Sequence, residues 1–154
     1  MKDNFTSIIV PCYNEEAGIK ASYETIASVM KAHFNRYELL FINDGSSDNT
    51  LEILKNIAKE DSTIKVINLS RNFGHQAAVS AGISICKGDY AFIIDADLQD
   101  PPNCIPLMVA KAIEEKASVV YGVRKVRKGE SYFKKISAKA FYRILNYFSE
   151  IQIP

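Results

Sequence analysis

The stretch Tyr90-Ala-Phe-Ile-Ile-Asp-Ala-Asp-Leu-Gln-Asp-Pro-Pro102 decides the fold of this chain. Its first five residues are apolar, too short a run for a helix and bounded by turn formers, which reads as a β-strand. Near-unbroken apolarity is the habit of parallel strands covered on both faces. Pro101-Pro102 then opens a helix running to about Lys116, because a proline in the first turn gives up an N–H that has no helical partner anyway. Beyond it, Ser118-Val-Val-Tyr-Gly122 reads as one more strand.

The same strand–helix unit recurs upstream. Ser7-Ile-Ile-Val-Pro11, Glu38-Leu-Leu-Phe-Ile42 and Lys65-Val-Ile-Asn-Leu69 are strand-like runs. Between them, Ile19, Tyr23, Ile26 and Met30 recur at helical steps and predict a helix from about Glu16 to Phe34. Asn49 and Glu52 are spaced as a capping box ahead of Leu51, Leu54, Ile57 and Ala58. An Ala-rich helix from His75 to Cys86 is closed by Gly88 as its C-cap. Five strands alternating with helices predict an α/β, Rossmann-like fold: a mostly parallel sheet, right-handed crossovers and helices on both faces. Ligands of such sheets bind beyond the carboxyl ends of the strands. Polar clusters stand at those ends: Cys12 to Glu15, Asn43-Asp44, Arg71-Asn72, Asp95 to Asp97, and Arg124.

The 154 residues are 47% hydrophobic and 24% charged, which suits one soluble domain over 1–154 and excludes collagen-like, disordered and disulfide-scaffold chains. Cys12, Cys86 and Cys104 are odd in number and widely spaced, so they read as buried thiols of a reducing compartment. No signal peptide opens the chain and no apolar run reaches the ~20 residues of a membrane span. A cytoplasmic location is therefore expected. The net charge of +1 argues against nucleic acid as a partner, but its distribution is uneven. Gly122 to Arg143 holds eight cationic side chains against one acid, a local charge of +7 that leaves −6 elsewhere.

Neither GxxxxGK[ST] nor GxGxxG follows the first strand, so a P-loop or standard dinucleotide site is not supported. Asp95-Ala96-Asp97 is the sharpest feature. Residues i and i+2 leaving a strand point the same way, so both carboxylates can approach one cation, and Gln99 would continue the row with a carbonyl oxygen. Hard oxygen ligands select Mg²⁺ or Mn²⁺, which bridge substrate phosphates. The competing reading makes Asp97 and Asp100 caps of the next helix.

Four motifs in order carry a resemblance: Ile8-Ile-Val-Pro-Cys-Tyr-Asn-Glu-Glu16, Phe41-Ile-Asn-Asp-Gly-Ser-Ser-Asp48, Ser70-Arg-Asn-Phe-Gly-His-Gln-Ala-Ala78 and Asp95-Ala-Asp-Leu-Gln-Asp-Pro-Pro102. Together they resemble family 2 glycosyltransferases of the GT-A fold, and more narrowly polyprenyl-phosphate (bactoprenol or dolichol-phosphate) glycosyltransferases. The resemblance implies that Pro11, Tyr13 and Glu15 line the base and ribose of a nucleotide sugar. It further implies that Asp44 accepts the uracil or guanine N–H, and that Asp95, Ala96 and Arg71 lie along the nucleotide diphosphate. Asp95, Asp97 and Gln99 match the metal site. Arg124 and Arg127 match residues that grip phosphates, with Asp97 the catalytic groups. Where the family usually has an Asp-Asp pair, this chain has Asn43 before Asp44. His75 is expected to be a cap or surface residue rather than an acceptor contact.

Residues 131–151 predict a basic amphipathic helix, with Phe133, Ile136, Ala140, Phe141, Ile144, Leu145 and Phe148 on one stripe. Such a helix suits a membrane interface through 124–148, or else packs on its own domain. The implied activity is inverting transfer of a sugar from a UDP- or GDP-sugar to a polyprenyl phosphate at the inner membrane face. The alternatives are transfer to a cell-surface saccharide, and a nucleotide-sugar-binding fragment without turnover. Family members continue with an acceptor-side acidic motif and, in lipid-phosphate members, transmembrane helices, so a truncated C-terminal end is expected.

Overall fold

The structure is a computed structural model, and it describes residues 4–123. The chain divides into two compact units, Met1–Val120 and Tyr121–Pro154. The first holds four strands and four helices in strict alternation: β1 (Thr6–Cys12), α1 (Ile19–His33), β2 (Tyr37–Asn43), α2 (Thr50–Glu60), β3 (Ile64–Asn68), α3 (His75–Ile85), β4 (Tyr90–Ile93) and α4 (Cys104–Glu115). The strands form one sheet in the order β3-β2-β1-β4, with every neighbouring pair parallel. Strand order therefore reverses beside β1, which sits at the centre with β2.

Burial follows from that order. All seven residues of β1 and six of seven in β2 are buried, since both strands have neighbours on each side and helices above and below. Ile8, Val10, Leu39 and Phe41 meet Ile19, Ile26 and Met30 of α1, Leu54 of α2, and Ile105 and Val109 of α4 in the larger core. Ile9, Leu40 and Ile42 point to the other face and pack with Ala78 of α3. A Cβ on Gly82 would stand 2.4 Å from the Ile9 side chain, so the glycine lets α3 lie close to the sheet. The α/β reading is thus borne out, with three helices on one face and one on the other. Pro11 falls beyond the end of the β1–β4 ladder at Ile9–Ile93, so its missing N–H breaks no pairing with β4.

Several expectations change. Among the described residues Ser118–Gly122 forms no strand, and Val119 is 77% exposed. No described strand pairs with this apolar run, and without ladder bonds a strand-like sequence does not become a strand. Among the described residues β4 is the edge of the sheet, with Tyr90 and Phe92 packed inward and Ala91 and Ile93 open, and not the doubly covered strand its composition suggested. The capping box does not form: Asn49 makes no side-chain cap bond, Asp48 Oδ1 accepts the Thr50 N–H at 3.0 Å, and Glu52 pairs with Lys55. α3 ends in an extended Cys86, not at Gly88, which instead lies against Ser7 so closely that a Cβ would meet its backbone N at 2.6 Å. Of the cysteines only Cys12 is buried; Cys86 and Cys104 are half-buried. The expected amphipathic helix over 131–151, with Arg124 and Arg127, lies outside the described residues. Among those described, no helix is long and apolar enough to cross a membrane.

Candidate active site

A pocket of about 310 Å³ opens at the carboxyl ends of β1, β2 and β4. Pro11, Cys12, Tyr13 and Glu15 line one wall, Asp44 the floor between, and Asn72, Gly74, His75 and Ala78 the second wall; Asp95, Ala96 and Asp97 close the β4 side. Of the residues expected at the nucleotide sugar, Pro11, Tyr13, Glu15, Asp44, Asp95 and Ala96 line this one cavity, as does Asp97. Arg71 and Gln99 do not.

The loop after β2 holds both walls. Asn14 adopts a left-handed backbone (φ 54°), which asparagine tolerates better than most residues. Its N–H donates to Ser46 Oγ at 2.9 Å while its own Oδ1 accepts the Ser47 N–H at 2.8 Å. The Glu15 N–H donates to Thr50 Oγ1 at 2.8 Å, and the Glu16 N–H to Asp48 Oδ2 at 3.1 Å. In return Glu16 Oε2 accepts the Asn49 N–H at 2.9 Å. These bonds zip the β1–α1 turn to the start of α2, leaving Tyr13 46% exposed at the pocket.

The second wall hangs from Asp44. This carboxylate is buried, and its two oxygens accept the N–H groups of Phe73 and Gly74 at 2.8 Å each. Gly74 has a φ of +94°, outside the comfortable range of an L side chain, and turns the chain directly into α3. Asn43, the departure from the family pattern, donates to Asn68 Oδ1 at 2.7 Å and accepts from Ser46 Oγ, so it ties β2 to β3 and to the loop. The Arg71 guanidinium lies 4.2 Å over the Phe73 ring, a cation–π contact rather than an ion pair with the acidic rim.

At β4, Asp95 and Asp97 are exposed and open onto the same cavity. Asp97 Oδ1 accepts the Gln99 N–H at 3.0 Å, so it turns its own loop and does not cap α4, whose N-cap is Asn103. Leu98 is left-handed (φ 56°), which breaks the extended row; Gln99 does not continue the alternation from Asp95 and Asp97. His75 begins α3, is exposed, and brings Nδ1 to 3.9 Å from Asp95 Oδ1. It lines the cavity, a placement the cap-or-surface reading did not anticipate. Gly74 and Ala78 were legible only as part of the Ser70–Ala78 motif, whereas Asn72 also stood in the polar cluster after the third strand.

The pocket is electronegative. Burial, then the nearby charges of Asp97, Asp48 and Asp95, raise the Glu15 carboxyl above its ordinary value. Burial, reinforced by Glu15, Asp48 and Asp44, pushes the Cys12 thiol up to about 12, so Cys12 is an inert wall and no nucleophile. The exposed carboxylates of Asp95 and Asp97 are hard oxygen donors of the kind a divalent cation takes. Among the described residues no group of three or more His, Cys, Asp or Glu gathers as an all-protein metal cage.

A parallel sheet in this order, with an acid-rimmed pocket at its carboxyl edge, defines the GT-A class of fold. The chain belongs to glycosyl transferase family 2, whose sequence pattern it matches over residues 7–153. It is 49% identical over 148 residues to the uncharacterized glycosyltransferase YkcC of Bacillus subtilis, covering 96% of this chain and 46% of that protein. It is 38% identical over 139 residues to the undecaprenyl-phosphate 4-deoxy-4-formamido-L-arabinose transferase of Proteus mirabilis, covering 90% of this chain and 42% of that one. The chain thus spans about half the length of these relatives. The mannosyltransferase PcManGT of Pyrobaculum calidifontis, solved with GDP-Man and Mn²⁺, shares the fold at a TM-score of 0.58 and 21% identity, over 72% of this chain and 31% of that one.

Proposed function

We propose that this chain is the nucleotide-sugar-binding part of an inverting, metal-dependent glycosyltransferase whose acceptor is a polyprenyl phosphate at the cytoplasmic membrane face. The observation that carries the reading is the convergence of Tyr13, Glu15, Asp44, Asp95 and Asp97 on one cavity at the carboxyl edge of the sheet. The Pyrobaculum neighbour, solved with GDP-Man and Mn²⁺, supports a nucleotide-diphosphate donor and a divalent ion. The Proteus relative, named for undecaprenyl phosphate, supports the lipid acceptor.

In this reading Tyr13 offers a stacking face for the base and Glu15 an acceptor for a ribose hydroxyl. Asp44 keeps lone pairs beyond those given to Phe73 and Gly74, and turns one to the base. Asp95 and Asp97 would hold Mg²⁺ or Mn²⁺, which would supply charge neutralisation for the departing nucleotide diphosphate. A phosphate acceptor is already anionic at neutral pH, so the chain's residues position the reactants and no strong base is required. Arg124 and Arg127 grip phosphate oxygens bidentately, and 124–148 meets an anionic leaflet.

The test is transfer of labelled sugar from UDP- and GDP-sugars with Mn²⁺ or a chelator, using the full-length reading frame in acidic-lipid vesicles. Label is expected in a polyprenyl-phosphate product and to vanish with the chelator. Label moving only to a soluble saccharide would replace the acceptor, and undiminished transfer under chelation would remove the metal.

A further inference from the structure

We infer that Asp44 is a positioning residue: its carboxylate clamps the Arg71–Gly74 loop and thereby sets the second wall of the pocket. This rests on the nucleotide-binding reading and adds to it a role that acts through the loop and not through the base. Three observations meet here. Asp44 is 3% exposed, and each of its oxygens accepts one backbone N–H, from Phe73 and from Gly74, at 2.8 Å. The next residue, Gly45, has a φ of +65°, and a Cβ on it would lie 2.4 Å from the Arg71 carbonyl carbon and 2.6 Å from the Asn72 nitrogen. Finally, the clamped segment delivers Asn72, Gly74 and His75 to the cavity and starts α3.

The β2 end and the β3–α3 loop are therefore locked twice, by charge-assisted hydrogen bonds and by steric contact. Two N–H groups in this half-buried turn find their partner in one carboxylate, and no other residue near them is needed. Losing it frees the wall carrying Asn72 and His75, whatever base is bound. Gly45→Ala perturbs the same joint from the backbone side and leaves the carboxylate untouched, so the two variants separate clamping from base reading.

The experiment compares the 154-residue chain with its Asp44→Asn and Gly45→Ala variants. UDP, GDP and CDP are titrated calorimetrically with Mn²⁺, and exchange of the Phe73 and Gly74 amide protons is followed by NMR. Clamping predicts faster exchange of those amides in both variants, and affinity lowered about 10-fold or more for all three nucleotides, on the scale of a lost charge-assisted bond. In Gly45→Ala, which keeps the carboxylate that reads the base, their order of preference stays as in the parent chain. An altered base preference in Asp44→Asn with both amides still protected would overturn the clamp in favour of direct base reading. Loosened amides with parental affinity would overturn the claim that the clamp sets the wall. If the parent chain itself binds no nucleotide, the functional reading fails instead, and the amide exchange still reports whether Asp44 holds the loop. Should Asp44→Asn not fold, Gly45→Ala carries both readouts.

Discussion

The two ends of the sheet treat carboxylates in opposite ways. At the amino edge, Glu38 of β2 is 3% exposed yet fully partnered: Ser7 Oγ donates at 2.6 Å, the Lys87 N–H at 2.7 Å, and Lys65 Nζ at 2.5 Å. Burial alone would raise its carboxyl, but the bonds from Lys65, Ser7 and Lys87 outweigh it and hold it below the ordinary value. At the carboxyl edge, Glu15, Asp95 and Asp97 face one another across a cavity, and Glu15 is raised. One end spends its charge on joining β1, β2, β3 and the α3–β4 turn. The other leaves its charge open to the cavity, where the proposed cation would bind.

Breaking the amino edge should give the largest effect. Glu38→Ala strands the buried Ser7 hydroxyl and the Lys87 N–H, at a cost of about 3 kcal/mol; half-exposed Lys65 adds little. Urea unfolding should show that loss with an unchanged slope, and nucleotide affinity of the folded variant should remain parental. A variant as stable as its parent would mean the network is ornamental.

The second comparison is in pH. Glu38 is depressed in the folded chain, so its contribution is present above the ordinary glutamate value and is lost as pH falls through the depressed one. Urea midpoints should fall on acidification in the parent and be flatter in Glu38→Gln. An equally steep acid limb in both would assign the loss to other groups. Glu15 has the opposite sign. Its raised carboxyl favours the folded state below the ordinary value, and that advantage disappears as pH rises through the raised one. Glu15→Gln should therefore gain slightly on its parent at neutral pH, within about 0.5 kcal/mol for a half-exposed site. A loss of stability on that substitution would show that Glu15 is held by favourable partners.

The two ends also differ in how far they could be read from sequence. The carboxyl edge was legible because strand-end polar residues follow apolar runs directly: Tyr13, Glu15, Asp44, Asp95 and Asp97 all reach the cavity. The amino edge was not, although Glu38 is the one charged residue in a run of otherwise apolar neighbours and could have signalled a buried partner. The four strands fell within a residue or two of their places, since burial on both faces leaves a strong pattern in β1 and β2. What failed depended on neighbours that a local pattern does not contain. Ser118–Gly122 pairs with no described strand, Glu52 turns to Lys55 and leaves the Asn49 box unmade, and Leu98 turns left-handed and drops Gln99 out of line. His75 was placed at a helix start correctly, but that this start opens into the cavity follows only from the Asp44 clamp and the strand order.

The central claim is that the unspent charge at the carboxyl edge serves a metal–nucleotide complex, and Asp97 tests it most directly. Calorimetric titration of UDP and GDP into the chain and into Asp97→Asn, with Mn²⁺ and with a chelator, should find metal-dependent binding in the parent. In the variant that binding should be weakened about 10-fold or more, the scale of a lost charge-assisted contact, at an unchanged melting temperature. Equal metal-dependent affinity in a folded Asp97→Asn would contradict the account.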